Sequence, residues 1–292
     1  MTKLSERAML ACLHVSAWSG SSHDRDVTEE VSETHSADIK DAGRYSKQII
    51  SKKALKDVNA AASLARRTHR LLTLPWQDDG SRILSTRGYV EYTDQMRLKR
   101  LAFEAAVDQF CGQWDMHVND SKRRLGSMFD ESDYPTVEDI KRKFGMDVEI
   151  KPVPDAGDFR AELDARSVSA IVKDIERRTE ARLEAAMNDV FTRIADVTGK
   201  MVERLREYKP PQGENKAENT FRDSLVWNVK EVADILPSLN ITNDPRLDEL
   251  QKQLHKDLTE HSPEVLRDND RLRNETADKA EKILNKVKKF LA

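Results

Sequence analysis

Apolar residues recur every three or four positions over about 45 residues, and this pattern predicts a single long helix from Leu163 to Tyr208. Its apolar positions are Val168, Ile171, Ile175, Leu183, Met187, Val190, Ile194, Val197, Met201, Leu205 and Tyr208, with Thr179 at the remaining step. The mean interval is about 3.6 residues, rather than the ~3.5 of a left-handed coiled coil. We therefore expect a nearly straight helix, roughly 65 Å long, along which other helices or a second subunit pack.

A second segment with the same periodicity predicts a helix from about Arg44 to Leu72. Its apolar seam consists of Ile50, Ala54, Val58, Ala61, Ala65, Thr68 and Leu72. The opposite side carries a set that we call the basic stripe: Lys52, Lys56, Asn59, Ser63, Arg66 and Arg70, with Arg67 at its edge. Three interpretations stay open. The stripe is the solvated face that a helix with a buried seam requires, or it binds nucleic-acid phosphates, or it binds an acidic protein surface.

Shorter patterns predict the remaining helices. A third helix is expected over about Thr86–Leu125, with Gly112 as a weak point near its middle. Its buried face consists of Met96, Phe103, Val107, Phe110, Trp114 and Val118. Thr136 and Asp139 form a capping-box arrangement that predicts a short helix before Gly145. Three more helices are expected after the long one, over Phe221–Leu236, from Asp244-Pro245 and from Ser262-Pro263.

Alternating polarity predicts a small amount of β structure. Residues 10–18 fit a short strand that stops at Gly20, although a helix continuing from Glu6 fits them as well. Met146–Pro154 fits an edge strand, since its prolines cannot donate to a ladder, and Phe159–Leu163 fits a partner strand. The predicted fold class is therefore mainly α, a long-helix bundle with a small β-sheet or hairpin, which is α+β with helix dominant.

The long helix also suggests how the chain divides. Residues 1–162 form an N-terminal helical region with short strands, and residues 163–292 hold the long helix, the returning helices and a basic C-terminal helix. One continuous domain is the alternative.

Composition agrees with a helical protein. Charged residues make up 35% of the 292 residues, with only 10 glycines and 9 prolines, which favours long helices over a sandwich or barrel. No apolar run is long enough for a membrane span and no signal segment is evident, so we expect a cytoplasmic protein with no membrane partner. The net charge of -3 argues against a globally basic nucleic-acid coat. Cys12 and Cys111 fit small buried residues.

No catalytic motif is present, whether a phosphate-binding glycine loop, a zinc-protease helix or a nucleophile elbow. The nearest metal-like cluster is His23, Asp24, Asp26 and His35, on a stretch more typical of a solvated acidic helix. We therefore expect no enzymatic activity, no cofactor and no metal.

The segment Thr73–Ser85 interrupts the helices with Pro75 and an Asp79-Gly80 turn. It brings Trp76, Asp78, Asp79 and Arg82 together in an irregular loop, where binding residues often lie. The four residues are a candidate contact site. The other interpretation, which we favour, is that Trp76 fills the core.

A family resemblance rests on several stretches of the chain: Leu13–Gly20, Asp41–Tyr45, Leu74–Gly80, Arg124–Phe129, Asp133–Pro135, Pro152–Pro154 with Gly157–Arg160, and Phe221–Leu225. Together these stretches resemble a family of tailed phages and conjugative elements. The family is the domain of unknown function three thousand one hundred and fifty, and the resemblance covers about residues 10–250. It has no established catalytic residues. Its members are often encoded near MoxR- or CobS-like AAA+ ATPases and von Willebrand A-type proteins, which implies an assembly with such an ATPase.

Two hypotheses about function follow. The first is a non-enzymatic interaction protein of a phage or mobile element, oligomeric or part of a larger complex, that serves as an adaptor for an AAA+ ATPase. The alternative is a nucleic-acid-binding protein that uses the basic stripe in recombination or counter-defence. The clusters Lys122–Arg124 and Lys141–Lys143 would support the alternative if they lay on the same face as the stripe.

Overall fold

The computed structural model describes residues 3–155, 164–211 and 216–291. The helices are α1 Leu4–Arg7, α2 Arg25–Thr34, α3 Ile39–Ala42, α4 Lys56–Leu72, α5 Tyr89–Gly112, α6 Trp114–Leu125, α7 Val137–Lys141, α8 Ala165–Glu207, α9 Ser224–Leu239, α10 Pro245–Gln253, α11 Pro263–Asp268 and α12 Asp270–Leu291. The strands are β1 Ala8–Ser16, β2 Ser21–His23, β3 Ser46–Gln48, β4 Leu74–Pro75, β5 Arg82–Ser85 and β6 Gly145–Pro152. The predicted fold class, α+β with helix dominant, is confirmed.

The chain divides into two units. The first unit comprises Met1–Cys12, Arg70–Tyr92 and Ile150–Ala292, and the second comprises Leu13–His69 and Thr93–Glu149. The first unit takes residues from both sides of the boundary expected at residue 162, so this division does not follow that boundary. Each unit is described by itself below.

The predicted long helix is the axis of the first unit. Asp164 caps α8 by accepting hydrogen bonds from the amides of Arg166 and Ser167, and the helix ends at Glu207. Its fully buried positions begin only at Ala186, and Met187, Val190, Ile194, Met201 and Leu205 are buried as predicted. Val197 is half-buried, and Thr198 is buried in its place. Before that point Val168, Ile171, Ile175 and Leu183 are half-buried.

Two later helices pack along the buried part of α8. α12 runs antiparallel to it, because Phe290 contacts Phe191 at 5.4 Å between ring centres while Asp278 pairs with Arg206 at 2.6 Å. α9 packs on the same helix and buries Val229, Val232 and Leu236 as predicted. Val226 is buried in place of the predicted Leu225, which is half-buried. Leu247, Leu250, Leu254 and Leu258 are all buried, as the leucine pattern after Asp244-Pro245 predicts.

The helix expected from Ser262-Pro263 to the end of the chain is in fact two helices. Ser262 caps the short α11, which ends at Asp268. Asn269 is extended, and its side chain accepts a hydrogen bond from the amide of Leu272, so it caps α12. The prediction of one helix was wrong because Asn269 ends one helix and begins the next.

The small sheet has the order β4-β5-β1-β6. β1 pairs antiparallel with β5, with Ala8 opposite Ser85 and Ala11 opposite Arg82. The strands predicted near residue 15 and over Met146–Pro154 are confirmed as β1 and β6. β4 and β5 were predicted as loop, and the predicted partner strand Phe159–Leu163 lies outside the described residues.

In the second unit the third predicted helix is interrupted. α5 ends at Gly112, Gln113 departs from helical geometry, and α6 begins at Trp114. The break lies at the predicted weak point. Trp114 is still buried on the predicted face, where it contacts the rings of Phe110 and Trp18. Thr136 caps α7 by accepting a hydrogen bond from the amide of Asp139, which confirms the capping box.

The helix predicted from Arg44 begins only at Lys56, so its first third was wrong. Ser46–Gln48 instead pairs antiparallel with Ser21–His23, and Ile50 donates its amide hydrogen to the carbonyl of Gly20. Ile49 and Ile50 directly follow β3 and are both fully buried. The extended backbone places both in the core.

Within residues 3–155, 164–211 and 216–291, none of the helices combines the length and the apolar character needed to cross a bilayer.

Candidate functional site

The basic stripe lies on the water-exposed side of α4, apart from its first member. Lys52 precedes the helix in a turn, beside the equally exposed Lys53. Lys56, Asn59, Ser63, Arg67 and Arg70 are exposed and Arg66 is half-buried. The buried seam opposite the stripe is Val58, Ala62, Ala65, His69 and Leu72, so Ala62 and His69 take the places predicted for Ala61 and Thr68.

The positive charges of the stripe differ in how they are engaged. Among the described residues, the side chains of Lys52, Lys53 and Lys56 have neither a hydrogen bond nor an ion pair. Arg66 lies 3.5 Å from the carbonyl oxygen of Val15, and the other arginines of the stripe also have partners. The positive charge that is available to a ligand is therefore concentrated at the N-terminal end of α4.

One of the two other basic clusters approaches that end. The guanidinium of Arg124 lies 3.4 Å from the carbonyl oxygens of Gln48 and Ile49, shortly before Lys52 in the chain. In the second cluster, Lys141 pairs with Asp108, Arg142 pairs with Asp139, and Lys143 lies over the ring of Trp18. Of the first cluster, only Arg124 is therefore shown close to the residues before Lys52, since Lys122 lies over the ring of Phe129 and Arg123 pairs with Asp120. The described contacts of Lys141–Lys143 are with other partners.

The four loop residues do not form one surface. Trp76 is only 6% exposed, which supports the core interpretation, and its indole nitrogen has no acceptor among the described residues. Arg82 also points inward and donates hydrogen bonds to the side chain and the carbonyl of Thr73. Asp78 and Asp79 are exposed, and the amide of Ser81 lowers the pKa of Asp79 by donating a hydrogen bond to it.

The acidic segment contains a buried ion-pair network that the sequence did not predict. Lys47 is 8% exposed and its ammonium lies 3.1 Å from Asp24 and 2.7 Å from Asp133. It also donates to the carbonyl of Met128 at 3.1 Å. Ser22 donates to the other oxygen of Asp133 at 3.0 Å. This network joins the paired strands β2 and β3 to the start of α2 and to the turn at Asp133, so its role is structural.

The charges in the network agree with its geometry. The amide of Val27 and then the Lys47 ammonium hold the pKa of Asp24 below its ordinary value. Burial lowers the pKa of Lys47, but its bonds to Asp133 and Asp24 outweigh burial and raise it overall. Asp24, one of the four residues of the metal-like cluster, is thus committed to a helix cap and an ion pair. In the described part of the chain, no three His, Cys, Asp or Glu side chains are placed to hold a metal ion.

A groove of about 560 Å³ runs beside α5 and the start of β6. Phe103 and Phe144 form apolar parts of its lining. Its charged side chains pair with one another, since Arg100 lies 2.8 Å from Glu104 and Lys141 lies 2.6 Å from Asp108. These pairs leave few groups in the groove to recognise a charged ligand.

The outward side of α5 carries apolar side chains, which the sequence analysis did not single out. Its inward side buries Met96, Phe103, Val107 and Phe110. On the outward side Leu98 is 49% exposed and Leu101 is 52% exposed, and the exposed Ala102 and Ala105 follow them. We call Leu98, Leu101, Ala102 and Ala105 the outer face. A helix with apolar residues on both sides is typical of one that is buried on both sides.

No protein-family model, no curated protein and no solved structure matches this chain. The resemblance to the phage and conjugative-element family stays a prediction, and the proposals below depend on the geometry of the described residues.

Proposed function

We propose that this chain is a non-enzymatic interaction protein that forms a homodimer through the outer face of α5. The observation that carries the proposal is the exposure of Leu98 and Leu101 on a helix whose other side is already buried. Exposed apolar side chains next to one another are typical of interaction sites. The first part of α8 is the other place where a second subunit was expected, because the helix is longer than a compact domain requires. Its apolar side chains are half-buried, so they are less exposed than these two leucines.

The charges beside the outer face favour a second copy as the partner. Arg97 and Glu104 lie at similar distances along the helix on either side of the point between Arg100 and Leu101. In an antiparallel two-fold pairing about that point, Arg97 of one copy faces Glu104 of the other, twice. Arg97 lies 3.9 Å from its nearest carboxylate, on Asp94, and Glu104 lies 2.8 Å from Arg100 on its own helix. These side chains are about half to two-thirds exposed, and exposed pairs of this kind are weak, so Arg97 and Glu104 can also pair with the second copy.

The wider context comes from the resemblance alone. A phage or mobile-element dimer in the bacterial host cytoplasm would present two copies of its remaining surface to a partner, as an adaptor for a MoxR- or CobS-like AAA+ ATPase requires. Light scattering of the purified chain, alone and mixed with such an ATPase, tests this directly. A strict monomer that does not bind the ATPase would contradict both the homodimer and the adaptor role.

The double substitution Leu98→Gln with Leu101→Gln should dissociate the dimer. Each copy loses two apolar side chains from the centre of the interface, so we expect the dimer dissociation constant to rise on the order of a hundredfold. Because both side chains are exposed in the single chain, the free energy of unfolding of the monomer should change by less than about 1 kcal/mol. Sedimentation equilibrium measures the first quantity and urea unfolding the second.

The matched control is Leu64→Gln, since Leu64 is 47% exposed on α4 and lies outside the outer face. It should leave the dimer unchanged. Dimerisation that survives the double substitution, or that Leu64→Gln abolishes equally, would show that the outer face is not the interface.

A second candidate function is nucleic-acid binding through the basic stripe. The observation that favours it is the group of three lysines without described partners, Lys52, Lys53 and Lys56, with Arg124 close to the preceding residues. Lysines that are not committed to carboxylates can replace the counterions of a phosphate backbone. The exposed Asn59 and Ser63, further along the helix, add side chains that can bond to phosphate oxygens.

Reversing these three lysines to glutamate should weaken binding to double-stranded DNA and flatten its salt dependence. If each contacts one phosphate, the slope of log affinity against log salt falls by about 3. Fluorescence anisotropy with a labelled duplex at several salt concentrations measures both quantities. Arg66 and Arg70 are left intact, because their partners make them part of the fold.

Lys282→Glu with Lys288→Glu and Lys289→Glu, on α12, provides a control with the same change in charge. An equal loss of affinity in both variants would indicate a non-specific effect of net charge. If the unmodified chain binds neither DNA nor RNA at low salt, the nucleic-acid hypothesis fails.

A further inference from the structure

A cleft of about 600 Å³ lies between the start of α2 and the segment from Ile39 to Arg44 in the second unit. One wall carries His23, Arg25 and Glu29, and the other carries Lys40 and Arg44. This volume lies within the range of small-molecule sites. It is much larger than a single phosphate ion requires.

The charge of the cleft is opposite to that of the segment around it. Seven carboxylates lie between His23 and Asp41, yet Glu29 is the only one of these that lines the cleft. Arg25, Lys40 and Arg44 line it as well, which gives three positive charges against one negative charge. Among the described residues, none of these three cationic side chains has a hydrogen bond or an ion pair.

This lack of partners distinguishes the cleft from most other basic positions of the second unit. Arg100, Arg123, Arg124, Lys141 and Arg142 each pair with a carboxylate. The lysines at the start of α4 are also unpaired, but they do not line this cleft. Three cations that share a cavity with a single carboxylate leave an excess of positive charge, and an anion bound between them relieves their mutual repulsion.

The backbone holds the two walls of the cleft together. The amide of Tyr45 donates to the hydroxyl of Thr28 at 3.1 Å, and the amide of Asp24 donates to the carbonyl of Tyr45 at 3.1 Å. Asp24 is not part of the lining, because it caps α2 and pairs with Lys47. The first turn of α2 contributes the positive end of its helix dipole to the cleft. Gly43 has a φ of 92° and no atom near its missing side chain, so a ligand can approach its backbone.

We propose that this cleft binds the phosphate groups of a small phosphorylated ligand, with Arg25, Lys40 and Arg44 as the anion-binding side chains. The net charge of the lining matches a phosphate dianion, which carries about -1.5 to -2 near neutral pH. Two arginines can each offer a planar pair of donors to phosphate oxygens, and the lysine adds a mobile point charge. The unused volume and the apolar side chain of Ile39 leave room for a group attached to the phosphate. The site is independent of the outer face and of the basic stripe.

Isothermal titration of the full chain at low salt with inorganic phosphate, pyrophosphate and ADP tests the proposal. We expect saturable binding with one site per chain, and the tightest of the three probes shows whether phosphate alone, linked phosphates or an attached nucleoside is recognised. Arg44→Gln should weaken the binding of that probe about tenfold. Glu29→Gln should strengthen it about fivefold, because it removes the one repulsive charge of the lining.

The two substitutions are expected to change the affinity in opposite directions, which distinguishes a binding site from a loss of fold. The four charged side chains of the cleft are all exposed, so circular dichroism and the melting temperature should not change. Lys52→Gln with Lys53→Gln removes two positive charges outside the cleft and should leave affinity unchanged. The proposal is overturned by an absence of saturable heat with all three probes, by a Glu29→Gln variant that binds more weakly, or by an equal loss in the Lys52 and Lys53 control.

Discussion

Replacing Lys47 by methionine is expected to lower the free energy of unfolding by about 3–5 kcal/mol, because it leaves two largely buried carboxylates facing each other without a cation. Asp24 and Asp133 are 11% and 15% exposed, so water screens their repulsion poorly. The substitution also removes a hydrogen bond to the carbonyl of Met128. Urea unfolding followed by the fluorescence of Trp18 and Trp114, which lie in the same unit, measures the loss.

Two controls make this prediction specific. Lys53→Met removes an exposed lysine from the same unit and should change stability by less than about 0.5 kcal/mol. Adding Asp24→Asn and Asp133→Asn to Lys47→Met should restore part of the loss, since asparagine still caps α2 and the buried like charges are gone. A cost below about 1 kcal/mol, or no recovery in the triple variant, would mean that the ion pairs contribute little.

The pKa shifts in the network give the expected pH dependence. The lowered pKa of Asp24 means that its contribution is present above its unfolded pKa of about 4 and is lost as the pH falls through the folded value. The raised pKa of Lys47 means that its contribution is present below about 10.5 and is lost as the pH rises through the folded value. Between these limits both groups are charged. The difference in the free energy of unfolding between the wild type and Lys47→Met should therefore narrow on acidification, when Asp24 becomes neutral.

The helices whose apolar faces are regular were predictable from sequence. α8 and α9 follow the three-and-four spacing of their apolar residues, and the leucines of α10 are buried as predicted. Caps at Asp164, Thr136 and Asp244 also follow from local chemistry, because each side chain bonds to an amide two or three residues away. These features depend on neighbours in the chain, so the sequence contains what is needed to predict them.

The errors lie where distant segments decide the local structure. Ile50 fits a helix by spacing, but residues 46–48 pair with residues 21–23, which extends the backbone before it. β5 is only four residues long, Arg82–Ser85, and follows the Asp79-Gly80 turn directly. Its sequence alone therefore does not indicate that it pairs with β1. Asn269 interrupts a pattern that continues on both sides of it.

The candidate sites were predictable only in part for the same reason. The basic stripe is exposed along α4, as the periodicity predicts, yet the sequence does not show which of its cations are already engaged. The cleft beside α2 was not predicted, because most charged residues in that part of the sequence are acidic. One signal was available, since Arg25, Lys40 and Arg44 are basic residues within or beside an acidic stretch. Whether they share a cavity depends on the β2-β3 pairing, which spacing does not reveal.

Arg193→Met is expected to cost about 2–4 kcal/mol of the free energy of unfolding, because Arg193 holds the C-terminal end of α4. Its guanidinium donates to the carbonyl oxygens of Leu71, Arg70 and Thr73 at 2.7, 2.9 and 2.8 Å. Two of these are among the last carbonyls of the helix, which have no partner within it. A cation at this position also interacts favourably with the negative end of the helix dipole. Its Nε pairs with Asp189, one turn earlier on α8, at 2.8 Å.

Arg193→Lys separates geometry from charge, since an ammonium keeps the ion pair with Asp189 but cannot bond to three carbonyls in a fork. We expect it to recover less than half of the loss. Arg82→Met should lower the free energy of unfolding by less than Arg193→Met does. Burial and then the charge of Arg193 lower the pKa of Arg82 to about 10. Removing Arg82 therefore relieves a repulsion with Arg193, although it also loses the hydrogen bonds of Arg82 to Thr73. Arg177→Met, on an exposed part of the same helix, should cost less than about 0.5 kcal/mol. If Arg193→Met costs no more than Arg177→Met, the end of α4 is held by Arg82 and the apolar contacts, and the guanidinium of Arg193 is dispensable.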